Sequence, residues 1–272
     1  MISKNSLTIP FYLPRICRLF KNWPLYMFNY LSRRIKPATY VTRSGMQLVD
    51  ATGTLAGTIA VVFVRREYGN LSAYKTIVDI GANMGCFTLY AAQMCPEARI
   101  CSYEPEENNF RVLNQNITVN SLQGRVTAHR YAIAGSSGQR SITIDASPLH
   151  TLLTATDGGG AQQTVSCTTI REILTEQRFD VIDFMKMNCE GAEYEILENC
   201  TPEDFARITN LRIEYHNFDQ ERRNGNSLAR LLRQNGYTIE RFTTYHEHDG
   251  IFTESGFIWA TRNRSQAIAA GT

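Results

Sequence analysis

Residues 75–105, KTIVDIGANMGCFTLYAAQMCPEARICSYEP, constrain the fold more than any other part of this chain. Ile77-Val78-Asp79-Ile80 is an apolar run of strand length that ends in a turn holding Gly81 and Gly85. A helical pattern over 84–94 follows, and a second apolar run over 99–103 closes on Glu104. Strand, glycine turn, helix, strand, acid is the order of a parallel βαβ unit. Its two strands lie side by side only if the helix crosses one face of the sheet. Open α/β sheets bind ligands at the carboxyl ends of their strands, so the same unit predicts a site for an adenosine-bearing cofactor.

The alternation continues with a helix over 106–119 and a strand over 125–132. It then breaks. Residues 139–145 alternate like a strand, 147–163 form a loop with Gly158-Gly159-Gly160, and 165–167 are extended, which predicts an inserted hairpin with a mobile tip. A helix over 169–177, a strand over 181–187, a helix from Gly191 to just before Pro202, a strand over 211–215 and a helix over 226–235 complete the repeat. The final strands, 237–242 and 256–261, are joined by a polar link too short for a crossover helix, so the last strand is expected to run antiparallel. The pattern is an α/β fold with a mostly parallel seven-stranded sheet. Upstream, 11–35 read as short helices interrupted at Pro14 and Pro24, and 40–64 as extended pieces turning near Gly45, Gly53 and Gly57. Two units are expected, a cap over 1–70 and the cofactor domain over 71–272.

Composition sets the remaining bounds. At 272 residues, 43% hydrophobic and 20% charged, the chain can bury a full core without disulfides. Seven cysteines with no C-x-x-C pair indicate free thiols in a reducing compartment and no zinc site. With no secretory signal and no bilayer-length apolar run, a cytoplasmic setting is expected. The net charge of +2 hides an asymmetry: residues 1–49 hold eight Lys or Arg and no acid, which leaves −6 on the rest. Phe11, Tyr12, Phe20, Trp23, Tyr26, Phe28 and Tyr30 accompany those charges. The preferred reading is a cap that packs its aromatics and solvates its charges. The other is a peripheral contact with an anionic surface at the inner membrane face, or with a lipid-linked substrate. Nothing elsewhere points to nucleic acid.

Asp79-Ile-Gly81-Ala-Asn83-Met-Gly85 is D-x-G-x-x-x-G. A dinucleotide site needs three glycines so that pyrophosphate can sit on the helix N-terminus, and here the middle one is Asn83. S-adenosyl-L-methionine has no phosphate but carries an amino-acid tail, which Asp79 and exposed backbone groups are suited to hold. Glu104 is placed to accept both ribose hydroxyls, and Tyr131 and Ala132, after the third strand, to border adenine. The plainer readings are a loop-stabilising role for Asp79 and a helix N-terminal charge for Glu104.

A second signature, Lys186-Met-Asn188-Cys-Glu190-Gly-Ala-Glu193, follows the fourth strand. It puts Lys186, Asn188, Glu190 and Glu193 near the sheet edge where an acceptor must be oriented. His216, at the end of the fifth strand, is placed for acid–base work. Asn116 and Asn120 read as helix-end residues. His246-Glu-His-Asp249 reads as a solvated loop, not a metal site.

Taken together, DIGANMG-x-F-T, the EP after the second strand, the asparagines of the next helix, K-x-N-C-EGAE and I-E-Y-H resemble the FkbM family of methyltransferases over residues 70–262. The resemblance implies a class I methyltransferase (Rossmann-like) fold and a pocket for S-adenosylmethionine lined by Asp79, Gly81, Asn83, Gly85 and Glu104. It also implies O-methylation of a sugar hydroxyl in a glycan or glycosylated metabolite, with a polyketide or other natural product as the alternative acceptor. The family usually has aspartate where this chain has Asn188. That loss of a carboxylate moves the expected base to His216, with Glu190 second, and admits a non-enzyme alternative, a cofactor-binding or membrane-associated scaffold with an impaired site. The N-terminal segment and residues 145–163 are expected to close over the acceptor.

Overall fold

The structure, a computed structural model, describes residues 9–32, 36–72, 74–144, 151–152, 161–217, 222–246 and 254–262. The chain opens with α1 (Ile9–Leu19) and α2 (Trp23–Ser32), then an antiparallel hairpin of β1 (Ala38–Val41) and β2 (Gln47–Asp50). Next comes α3 (Leu55–Ile59), which runs on into a π-helical turn, Ala60–Arg65. The alternating part holds β3 (Thr76–Ile80), α4 (Cys86–Met94), β4 (Arg99–Tyr103), α5 (Glu107–Val119) and β5 (Val126–His129). An insertion follows, with β6 (Ala132–Ile133), β7 (Gly138–Ile144), β8 (Thr151–Leu152) and β9 (Ala161–Thr168). Then come α6 (Ile170–Glu176), β10 (Ile182–Met187), α7 (Glu193–Glu198), α8 (Pro202–Ala206), β11 (Ile208–Asn217), α9 (Gly225–Gln234), β12 (Thr238–His246) and β13 (Glu254–Thr261).

Seven strands form the main sheet in the order β12-β13-β11-β10-β3-β4-β5. The five strands from β5 to β11 are parallel neighbours, while β13 runs antiparallel to both β11 and β12. The reversed strand is the last in sequence, as expected, but lies inside the sheet. All six residues of β10 are buried, as a strand covered on both faces requires. From β3 the chain moves outward to β5 and then returns to β10 on the other side of β3. That reversal opens a crevice beyond the carboxyl ends of β3 and β10.

Several expectations need correcting. α1 continues through Pro14, and Pro24 sits at the start of α2, where its missing N–H has no helical partner anyway. The break between the helices falls at Phe20, which bridges Thr42. Residues 55–65 are helical, not extended. Leu55, Ala56, Ile59, Ala60 and Phe63 are all buried, a helical spacing masked by the β-branched residues around it. The inserted hairpin is a four-stranded sheet, β6-β9-β7-β8, with β9 parallel to β6. Ala161–Gln163, expected in the loop, belong to β9; the glycine-rich tip at 158–160 lies outside the described residues. The helix expected between Gly191 and Pro202 is α7, and an additional short helix, α8, follows it, opened by Pro202 and capped reciprocally by Thr201 and Asp204.

The cap shares a core with the main sheet. Phe20 stacks on Tyr26 at 5.2 Å and meets Phe63 at 6.1 Å, and Phe63 meets Tyr90 of α4 at 5.2 Å. Side chains of α5 bind the cap as well. The Asn116 amide accepts the Val49 N–H (2.7 Å) and donates to the carbonyls of Val49 (3.1 Å) and Met84 (2.8 Å). One helical turn on, Asn120 accepts the Gln47 N–H (2.8 Å) and donates to the Gln47 carbonyl (2.7 Å). The two amides stand in for a strand beside β2, a larger role than that of helix-end residues.

Candidate active site

The turn after β3 is built by close backbone contact. The N–H groups of Gly81 and Ala82 both donate to the Tyr103 carbonyl, at 3.1 and 3.0 Å. Gly81 has φ +71, and a Cβ there would lie 1.8 Å from the Asn188 carbonyl oxygen. Asn83 has φ 51, a left-handed position that asparagine tolerates better than most residues. Its N–H donates to Glu104 Oε2 at 2.7 Å, and the Glu106 N–H donates to Oε1 at 3.0 Å. Burial pushes the Glu104 carboxyl up to about 7 despite those two bonds. The acid that caps α5 is Glu106, which accepts the N–H groups of Asn108 and Asn109.

A cavity of about 300 Å3 opens over this turn, near the lower end of the usual size for small-molecule sites. Gly81, Asn83, Glu104, Tyr131, Ala132, Lys186, Asn188, Glu190 and His216 line it. Asp79 and Gly85 are not among its lining residues. Asp79 is fully buried. Its carboxylate accepts the Thr88 hydroxyl at 2.7 Å and pairs with Lys186 Nζ at 3.0 Å, so it is committed to the protein interior. Lys186 also donates to the carbonyls of Gly81 (2.7 Å) and Ile80 (3.2 Å), pinning the turn from below. Gly85 begins α4 with φ +88, packed toward Leu113.

The far end of the cavity holds a charged network. Glu214 Oε2 accepts the Tyr68 hydroxyl at 2.6 Å and the Asn188 Nδ2 at 3.0 Å. Burial raises the Glu214 carboxyl and the nearby His216 partly offsets this. The buried Oδ1 of Asn188 has no hydrogen-bond partner among the described residues. Glu193 accepts the N–H groups of Cys189 (2.7 Å) and Gly191 (2.9 Å). His216 lies between Glu190 and Glu193, at 3.6 Å from each. Burial alone would lower its pKa, but Glu190, Glu193 and Glu214 outweigh this and hold it up at about 10. Three carboxylates around the ring favour the imidazolium, a form with no free lone pair to take a proton, so the surroundings of His216 work against the general-base role expected of it. Glu190 sits at φ 52, strain of a kind that collects at functional edges.

Three parts of the site escaped the sequence reading. Glu214 had a signal: two residues before His216 in a strand, it shares that face. Tyr68 had none, being upstream of every motif. The wall formed by Gly57, Thr58, Val61 and Val62 was hidden by reading its segment as extended. Among the described residues, no three His, Cys, Asp or Glu side chains form a metal site, and no helix is long and apolar enough to cross a membrane. Of the run His246–Asp249, all but His246 lie outside the described residues.

The Methyltransferase FkbM domain matches residues 79–239. The chain is 26% identical over 178 residues to Methyltransferase sdnD of Sordaria araneosa, spanning 54% of this chain and 69% of that protein. It is 24% identical over 193 residues to the 31-O-demethyl-FK506 methyltransferase FkbM of Streptomyces tacrolimicus, spanning 60% of this chain and 72% of that one. Among solved structures it is similar to P. horikoshii TYW2 in complex with MeSAdo, at 14% identity and a TM-score of 0.48, covering 85% of this chain and 73% of that one.

Proposed function

This chain belongs to the FkbM methyltransferase family, and on that premise we propose that it methylates a hydroxyl of an acceptor seated between Tyr68, Asn188, Glu190, Glu214 and His216. The enzyme is an S-adenosylmethionine-dependent methyltransferase. The cavity suits that group. Glu104 offers a carboxylate for ribose hydroxyls, Ala132 and Ile133 an apolar border for adenine, and the unpartnered Oδ1 of Asn188 an acceptor for an ammonium. When bound, S-adenosylmethionine supplies an activated methyl group.

The chain's own residues then have two tasks, alignment and proton removal. Glu214 carries this reading. It is the cavity carboxyl whose two hydrogen bonds, from Tyr68 and Asn188, both fall on Oε2. Burial raises its pKa toward the range where a base is effective, and positive charge on His216 partly offsets that rise. The acceptor proton passes to Glu214 as the oxygen gains the methyl group. The walls from 57–62 and Tyr68 narrow the cavity and help exclude water.

A sugar hydroxyl is the proposed acceptor, because carboxylates and amides dominate this end and suit neighbouring hydroxyls. A natural-product hydroxyl is the second reading, favoured by the name of the Streptomyces relative, which specifies a 31-O-demethyl substrate. Turnover is measured with labelled methyl donor against glycans, glycosylated metabolites and polyketide lactones. Transfer to hydroxyls is expected. Glu214→Gln is expected to lower kcat by roughly 100- to 10,000-fold while cofactor-product binding is retained. Transfer confined to amine or carbon acceptors, or an unchanged kcat in Glu214→Gln, overturns the proposal.

A further inference from the structure

The cap buries only part of its apolar surface. Tyr26 and Asn29 face the interior, but Leu25 and Leu31 of α2 are 41% and 52% exposed, and Phe28 between them is 54% exposed. A spacing of three places these residues along one side of the helix. On α1, Phe11 is 85% exposed, and it shares a helical side with Arg15 and Arg18. The two helices pack against each other. Around them Arg15, Arg18, Lys21, Lys36 and Arg43 are all exposed, and residues 1–49 contain no acid at all.

We infer that α1 and α2 form an interfacial face that docks on an anionic lipid bilayer. Aliphatic and aromatic side chains of this kind enter the headgroup boundary, and flanking Lys and Arg meet acidic lipids. The charge argues against a second copy as the occupant. A symmetric dimer would set two acid-free basic surfaces against each other, and like charges across an interface are strongly disfavoured. The helix that carries this face also packs on α3, whose Gly57 and Thr58 are cavity wall. The lipid contact stands independently of which acceptor is methylated.

The test is flotation of the full chain with phosphatidylcholine vesicles, with and without phosphatidylserine, at low and high salt. Binding is expected only with phosphatidylserine and is expected to weaken sharply at high salt. Each basic residue near such a surface contributes a factor of roughly five, so Arg18→Gln with Lys21→Gln is expected to weaken binding roughly twenty-five-fold. Leu25→Ser with Leu31→Ser is expected to weaken it further without altering the melting curve. Light scattering in the absence of vesicles is expected to give the same mass for wild type and the leucine variant. Equal recovery with neutral and anionic vesicles overturns the inference. So does an oligomer that the leucine substitutions dissolve in a protein that ignores vesicles.

Discussion

Replacing Gly81 with alanine tests the tightest contact in the site. The new Cβ would stand 1.8 Å from the Asn188 carbonyl oxygen and 2.9 Å from its carbon, where ordinary contact begins at 3.4 Å. About 1.6 Å of separation has to be found between two backbones. Neither yields easily. The Asn188 N–H donates to the Ile80 carbonyl at 3.2 Å, and the Gly81 N–H to Tyr103 at 3.1 Å, so movement breaks the ladder on one side or the other. A left-handed φ adds about 1–2 kcal/mol for any side chain, and overpacking about 1–3 kcal/mol. The sum, about 2–5 kcal/mol, corresponds to a melting point lower by roughly 5–15 °C. Gly85→Ala is the control. It has the same backbone hand, φ +88, but its Cβ meets a side-chain methyl of Leu113 at 2.7 Å instead of backbone, and a side chain can shift where a backbone cannot, so the strain of about 1–2 kcal/mol is the larger part of its cost. Thermal unfolding with and without S-adenosylhomocysteine distinguishes them. Gly81→Ala is expected to melt well below Gly85→Ala and to lose the ligand-induced rise. Equal melting points with an intact rise would refute the clash argument.

Glu104, raised to about 7, is expected to make cofactor affinity increase as pH rises through neutrality, falling about tenfold between pH 8 and pH 6 if only the carboxylate binds ribose. The same shift gives a stability contribution present below its unfolded pKa and lost as pH rises toward 7; calorimetry on wild type and Glu104→Gln checks both, and a flat affinity profile in wild type contradicts the assignment. His216 behaves in the opposite chemical sense. Its pKa is raised as a cation, so its stabilisation is complete below about 6.5 and disappears as pH climbs through about 10; alkaline unfolding curves of wild type and His216→Gln are expected to converge there. Asn116→Ala removes the partners of Val49 N–H, Val49 C=O and Met84 C=O and is expected to cost about 2–4 kcal/mol in urea unfolding, whereas the half-buried Asn120→Ala costs about 1 kcal/mol; equal losses would show that the buried amide is no special clamp.

The sheet was legible because its signals are local. An apolar run, a positive-φ glycine and an amphipathic helix each announce themselves within a few residues. The reversed strand was legible too, from a link too short to cross over, but its position between β11 and β12 depends on pairing across the chain. Residues 55–65 misled because Val61, Val62 and Val64 favour strands in isolation, while burial against Tyr90 and its neighbours selects helix. In the site, the sequence indicated which residues gather at the crevice better than what each does there. Asp79 looks available until Lys186 and Thr88 are seen to occupy it, and His216 looks like a base until three carboxylates surround it. Charge state is a property of neighbours that lie far apart in sequence.

The place of β13 bears on how the chain is made. During synthesis β12 emerges before β13, yet among the described residues β13 is its one partner in the sheet. Until β13 leaves the ribosome, β11 keeps an open edge and β12 can attach nowhere. The two late strands therefore have to zip into a hairpin and dock on β11 through their second member, or dock β13 first and add β12 to it. In either order β11 presents unpaired N–H and C=O groups to every neighbouring nascent chain until the final stretch is delivered.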